Sequence, residues 1–238
     1  MHIYRSFNSI KALSFDLDDT LYDNRPVIMK VESEMETWLH SNHPVSKTLS
    51  RQQWHTIKLK LASSIPNLVH DVTKLRQTQI EYGLKQLGYS DLQAKNAAQV
   101  GIEYALWLRN KVDVPNESHQ TLKSLAKKYP LVAITNGNVN VEKIGLSDYF
   151  DFVLQAGPDG RSKPYSDMFS TAAKQLNLPK QNILHIGDHL ISDVSGAKQC
   201  GYTTCWINTL KSPLNMQSKI NVLPDIEIEH IKELTEFL

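Results

Sequence analysis

Four short apolar runs in this chain end on residues able to attack, hold or neutralise a phosphate group. Phe15 is followed by Asp16, Asp18 and Thr20, and Ile134 by Thr135, Asn136 and Gly137. The run Phe152-Val153-Leu154 leads through a glycine-containing loop to Ser162, Lys163 and Pro164, and Ile186 is followed by Gly187 and Asp188, with Asp193 five residues further on. Carboxylates can serve as nucleophile, proton carrier or ligand of a hard cation, a lysine ammonium offsets anionic charge, and hydroxyl and main-chain N–H groups cradle phosphoryl oxygens. Two carboxylates about 5 Å apart at an effective dielectric of about 20 repel by about 3 kcal/mol. Bringing Asp16, Asp18, Asp188 and Asp193 to one rim therefore calls for the Lys163 ammonium, a bound divalent cation, or both. Oxygen donors with no cysteine nearby favour Mg2+, and a phosphate can itself supply a ligand oxygen.

Residues so far apart in sequence meet only if the elements beneath them converge. Short buried-strand runs occupy 12–15, 131–134, 152–154, 183–186 and 203–207, and Ile226 and Ile228, two apart, suit one face of a last strand. Helical segments are expected at 117–128, 165–177, 190–200 and, closing the chain, 230–237. Strands alternating with helices imply right-handed crossovers and a mainly parallel sheet covered on both faces, whose ligands bind beyond the carboxyl ends of the strands. The stretch 24–110 reads differently. Val31, Met35, Trp38 and Leu39, then Leu75, Ile80, Leu84 and Leu87 (closed by Gly88), then Ala98, Ile102, Ala105, Leu106 and Leu108 recur at helical spacing. Asn42-His43-Pro44 and Ile65-Pro66-Asn67 read as connections between helices. The expected fold is α/β: a three-layer, Rossmann-like core from 1–23 and 111–238, interrupted by an all-helical insertion at 24–110.

Composition narrows the partners. The 238 residues are 41% hydrophobic and 21% charged, with 26 Lys and Arg against 25 Asp and Glu. This near-neutral balance lacks the basic excess of nucleic-acid or anionic-membrane binders. Two cysteines, Cys200 and Cys205, build neither a disulfide framework nor a four-thiolate zinc site. No apolar run suits a signal peptide or approaches the roughly 20 residues of a membrane span. A soluble cytoplasmic protein with no nucleic-acid or membrane partner is the expectation; no pattern encodes an oligomeric state.

Taken in order, Asp16-Leu17-Asp18-Asp19-Thr20, Thr135-Asn136-Gly137, Lys163-Pro164 and Gly187-Asp188 through Asp193 resemble the four signature motifs of the haloacid dehalogenase-like superfamily. The resemblance spans essentially the whole chain, and the helical insertion after the first motif resembles that superfamily's type 1 cap. It implies a Mg2+-dependent phosphomonoester hydrolase of a small phosphorylated metabolite, with Asp16 as nucleophile, forming an aspartyl-phosphate, and Asp18 as general acid and base. Thr135 and Asn136 would bind the phosphoryl oxygens with Lys163. Mg2+ would be held by Asp16, the Asp18 carbonyl and Asp188, with Asp193 orienting the metal's waters or Lys163. Pro164 would open the next helix and set Lys163 at its N-terminus. Phe15 through Pro26 and Gly160-Arg161-Ser162-Lys163-Pro164 further resemble a bacterial subgroup, the YigB-like phosphatases of flavin metabolism, which act on 5-amino-6-(5-phospho-D-ribitylamino)uracil and on flavin mononucleotide (FMN).

Other readings stand beside these. A phosphatase for sugar phosphates or nucleotides, or a phosphomutase, would use the same core. A dehalogenase needs neither Asp18 nor a metal, and a non-catalytic module would be expected to have lost Asp16, Asp18 or Lys163. Asp19 reads as structural, Asp188 as a rival helix cap, and His189 as a packed or solvent-facing ring. Tyr22, Asn24 and Arg76 are candidates for substrate contact. Of Trp38, Trp54 and Trp107, at least two are expected in the helical insertion's own core rather than stacked on a ligand ring.

Overall fold

Alternating strands and helices fold, in the computed structural model, into a seven-stranded sheet ordered β1-β7-β6-β5-β2-β3-β4. The structure describes residues 1–209 and 222–238. The strands are β1 (His2–Ile3), β2 (Ala12–Phe15), β3 (Leu131–Thr135), β4 (Phe152–Gln155), β5 (Ile183–Gly187), β6 (Thr203–Ile207) and β7 (Ile226–Ile228). All pair in parallel except β1, a two-residue exposed edge on β7 that no apolar run signals. β2, β3, β5 and β6 are buried along their whole length, as a parallel sheet covered on both faces requires.

From β2 the chain builds outward through β3 to β4, then returns to lay β5 on the other side of β2. The strand order reverses between β2 and β5, the position in open α/β sheets where a crevice opens at the carboxyl ends. Phe15 pairs with Ala133 on one side and Ile186 on the other, so the residues following these strands emerge together.

Helices α1 (Asn116–Leu125) and α2 (Asp167–Leu176) belong to this core unit, which comprises Met1–Asp23 and Asp113–Leu238. α2 buries Met168, Phe169, Ala172 and Ala173, a helical stripe packed with Val132, Ile134, Leu154 and Ile183 of the sheet. Complete burial of the Phe169 and Met168 side chains stabilises the layer by about 1.5–3 kcal/mol each. Three expectations need correction. α2 starts at Asp167, so Pro164 is not its first residue and Lys163 does not sit at a helix N-terminus; the Lys163–Pro164 peptide is cis. The segment 190–200 is a π-helical turn, Leu190–Ser195, running into a short α3, Gly196–Gln199. The closing segment is 3-10, Ile231–Phe237, where the Glu233 carboxylate accepts the N–H groups of Glu229 and His230.

The second unit, Asn24–Val112, is helical throughout its regular structure. Its helices are αA (Arg25–Asn42), αB (Arg51–Ser64), αC (Val72–Gln86) and αD (Asp91–Arg109). Ser50 with Gln53 and Ser90 with Gln93 form capping boxes, and Asp71 caps αC. Gly88, at φ +94°, turns the chain after αC. αB buries only Leu61, which is why 51–64 shows no apolar stripe despite the connections that bracket it. Trp38 and Trp54 pack on this unit's core, whereas Trp107 is half-exposed, stacked on Tyr104 and covered by the Lys111 ammonium. Both cysteines are free thiols. Among the described residues no helix is long and apolar enough to cross a membrane.

Candidate active site

Asp16 leaves the tip of β2 with its N–H donated to the Ile186 carbonyl at 2.8 Å, which fastens it beside β5. The loop that follows turns at Asp19, at φ +60°, whose N–H donates to the Tyr22 carbonyl at 2.9 Å. An aspartate tolerates this left-handed conformation better than most residues, so Asp19 has a structural task. The same turn directs Thr20 inward, where its hydroxyl donates to Asp188 Oδ1 at 3.3 Å. Asp18 accepts from the Tyr22 hydroxyl at 2.7 Å.

Thr135 ends β3 with its hydroxyl oxygen accepting the Gly137 N–H at 2.9 Å, which leaves the hydroxyl hydrogen to donate elsewhere. Asn136 does something its sequence position did not advertise. Its side chain clamps the Lys163 main chain, accepting the N–H at 2.7 Å and donating to the carbonyl at 2.9 Å. The preceding loop is braced by Arg161, whose guanidinium and N–H bond the Asp167 carboxylate. These contacts replace the expected helix N-terminus in setting the lysine.

Lys163 Nζ lies 2.6 Å from Asp16 Oδ1 and 2.6 Å from Asp193 Oδ1. All three residues are almost fully buried, at 3%, 7% and 1% exposure for Lys163, Asp16 and Asp193. Two close approaches make the arrangement possible. A Cβ on Gly187 would stand 2.4 Å from Asp193 Cγ, and one on Gly196 2.8 Å from Pro164 Cα, so glycine at both places lets the two loops meet. Asp193 Oδ2 also accepts the His189 N–H at 3.0 Å. His189, not Asp188, caps the π-helical turn, its Nδ1 accepting the Ser192 N–H.

One ammonium thus faces several carboxylates. Asp16, Asp188 and Asp193 each offer an oxygen, all within 4.8 Å of one another. Burial works against ionisation of Asp193, but Lys163 and His185 outweigh it and hold its pKa low. For Asp16 burial dominates and, with the Asp193 and Asp18 charges, raises its pKa despite Lys163. Burial, with the charges of Asp193 and Asp19, pushes Asp188 up to about 7. Lys163 is itself disfavoured by burial, yet Asp16 and Asp193 keep its pKa above the ordinary lysine value. Asp16 and Asp188 are thus the carboxyls whose ionisation Lys163 does not fully offset, and both present hard oxygen donors. That donor chemistry fits Mg2+. Asp193, engaged by Lys163 and the His189 N–H, fits better as the lysine's anchor. Asp18 is not among the converging carboxylates.

Asp188→Asn is expected to stabilise the metal-free protein at pH 8 by about 1–3 kcal/mol, after allowance for partial solvent screening. A carboxyl whose folded pKa is raised binds a proton more tightly folded than unfolded, so its ionisation removes stability as pH climbs through about 7. The gain from the substitution should fade towards pH 5. Urea unfolding at the two pH values checks this; equal gains at both would contradict it.

The fold and this cluster define a doubly wound α/β protein with its carboxylates gathered beside a topological switch point. The chain belongs to the haloacid dehalogenase-like hydrolase family, which it matches over residues 10–201. It is 45% identical, over 100% of both chains, to 5-amino-6-(5-phospho-D-ribitylamino)uracil phosphatase YigB of Escherichia coli strain K12. It is 26% identical to a glyceraldehyde 3-phosphate phosphatase of Pyrococcus furiosus, over 96% of this chain and 93% of that one. The solved structure of a 2-haloacid dehalogenase from Pseudomonas syringae pv. Tomato DC3000 superimposes with a TM-score of 0.90 at 33% identity, over 96% and 97% of the two chains.

Proposed function

We propose that this chain is a Mg2+-dependent phosphomonoester hydrolase acting on a small phosphorylated metabolite, 5-amino-6-(5-phospho-D-ribitylamino)uracil first and FMN second. The observation that carries the chemistry is a buried Asp16 carboxylate held 2.6 Å from Lys163 Nζ, with Asp188 in the same cluster. The substrate rests on the 45% identity to the E. coli enzyme over the whole chain.

One oxygen of Asp16 attacks phosphorus while its Oδ1 keeps the hydrogen bond from Lys163, and the phosphorus–oxygen bond to the leaving alcohol breaks. Asp18 gives that alcohol its proton, then takes one from the water that cleaves the aspartyl-phosphate. The Thr135 hydroxyl, the Asn136 N–H and the Lys163 ammonium hold the phosphoryl oxygens, and Asp193 anchors the lysine. Asp16, Asp188 and the Asp18 carbonyl would hold Mg2+, which when bound supplies positive charge to the phosphoryl oxygens. Substrate selection is assigned to the helical insertion, read as the cap. A halide-displacing reaction, as the P. syringae relative's name describes, leaves Asp18 without a task.

Chelation of divalent metal is expected to stop phosphate release, and added Mg2+ to restore it; full metal-free activity would refute the cation's part. Across a panel of the ribitylamino-uracil phosphate, FMN, sugar phosphates and nucleotides, kcat/KM should favour the first by about tenfold or more. A flat profile would remove the flavin-pathway substrate and leave the chemistry. Interconversion of sugar phosphates without net hydrolysis would favour a mutase.

A further inference from the structure

Parallel strands buried on both faces are normally apolar, yet β2 and β5 each carry a polar residue at their centre. Ser14 and His185 stand opposite each other in register, exposed by 0% and 1%. Burying such groups is costly unless their hydrogen bonds are made. Alternation along a strand puts Ser14 on the face of Asp16 and His185 on the face of Gly187, the residue whose missing side chain makes room for Asp193. A continuous polar file results. Ser14 Oγ lies 2.8 Å from His185 Nδ1, and His185 Nε2 lies 3.4 Å from Asp193 Oδ1. That same Asp193 oxygen is 2.6 Å from Lys163 Nζ. The His185 and Phe169 rings stand at 90° with centroids 5.0 Å apart, a packing contact that holds the imidazole plane.

The hydrogen positions follow from the partners. An ionised carboxylate only accepts, so Nε2 carries a hydrogen towards Asp193, and Nδ1 is left to accept from the Ser14 hydroxyl. Burial lowers the His185 pKa, in keeping with a neutral ring.

We propose that His185, set in its Nε2–H tautomer by Ser14, is a positioning residue that aims the Asp193 carboxylate and thereby holds Lys163 against Asp16. This rests on the phosphatase reading for its consequence and on geometry alone for its arrangement. Neither residue touches the reacting atoms. Their effect passes through Asp193, whose direction decides where the ammonium stands when a phosphoryl group arrives.

The test compares the full-length, Mg2+-loaded wild type with His185→Leu, His185→Gln and Ser14→Ala, and reads the wild-type imidazole by 15N NMR. Leucine leaves the buried Ser14 hydroxyl without its partner, so the melting temperature should fall by roughly 2–10 °C. In the folded variant kcat should fall about ten- to a hundredfold. Glutamine, whose amide can donate towards Asp193, should recover a large part of kcat. Ser14→Ala, a one-oxygen deletion, should lower kcat roughly severalfold, and it carries the kinetic test alone if His185→Leu fails to fold. In the wild type the ring hydrogen should be found on Nε2. Wild-type kcat in a folded His185→Leu, glutamine no better than leucine, or a ring hydrogen on Nδ1 would overturn the proposal. A wild type inactive on every phosphomonoester would instead strike the phosphatase reading, and the tautomer would still decide the arrangement.

Discussion

Asp16→Asn is expected to lower phosphate release by on the order of 10^4-fold or more, because a carboxamide neither attacks phosphorus nor forms the acyl phosphate. The fold should survive. Asp16 follows β2, and its main-chain bond to the Ile186 carbonyl does not involve the side chain. The change also leaves Lys163 a carboxylate partner in Asp193 at 2.6 Å. Phosphate release measured on the best substrate, with circular dichroism as a control for folding, checks both halves. A folded variant with turnover within about tenfold of wild type would remove Asp16 from the nucleophile's role, since loss of a nucleophile costs far more than that.

Lys163→Met should be the most damaging change to stability. The lysine answers two buried carboxylates, and removing one partner of a buried ion pair costs about 3–5 kcal/mol. The pH dependence distinguishes this from loss of packing. In the wild type, Asp193 has a depressed pKa, so its contribution is present above the unfolded carboxyl pKa and is lost as the solution becomes acidic. In the variant, Asp16 and Asp193 lack their ammonium and take up protons in the folded state more readily than in the unfolded chain. Their penalty therefore shrinks as pH falls. The stability gap between wild type and variant should close from pH 8 to pH 5, while activity stays down by about 10^2–10^3-fold at both. Urea unfolding across that range provides the measurement, and a gap independent of pH would mean that Lys163 acts through its hydrocarbon stem.

The two substitutions probe different properties of the same contact. Asp16 Oδ1 and Lys163 Nζ are 2.6 Å apart, yet in the proposed mechanism chemistry depends on the aspartate, through its other oxygen, as nucleophile, and stability on the lysine as a shared counterion. Chemistry should therefore fail in both variants, and stability mainly in one.

Much of this fold is legible in the sequence alone. Apolar runs such as Leu131–Ile134 and Ile183–Ile186 are strands because buried parallel strands need both faces apolar. Of the polar residues that follow the strands, Asp16, Lys163, Asp188 and Asp193 come together in the structure. Helical spacing likewise reads αA, αC and αD, but not αB, where a mostly exposed helix leaves no stripe to read. What the linear order does not carry is distance between side chains remote in sequence. Asn136 clamping the Lys163 main chain spans 27 residues, and Ser14 against His185 spans 171. Such pairs are made by strand register and close packing, which local patterning only constrains. The helix expected at Pro164 failed for the same reason: contacts with Asn136 and the close approach of Gly196 decide that backbone, and proline's preference for a first helical turn is too weak to compete.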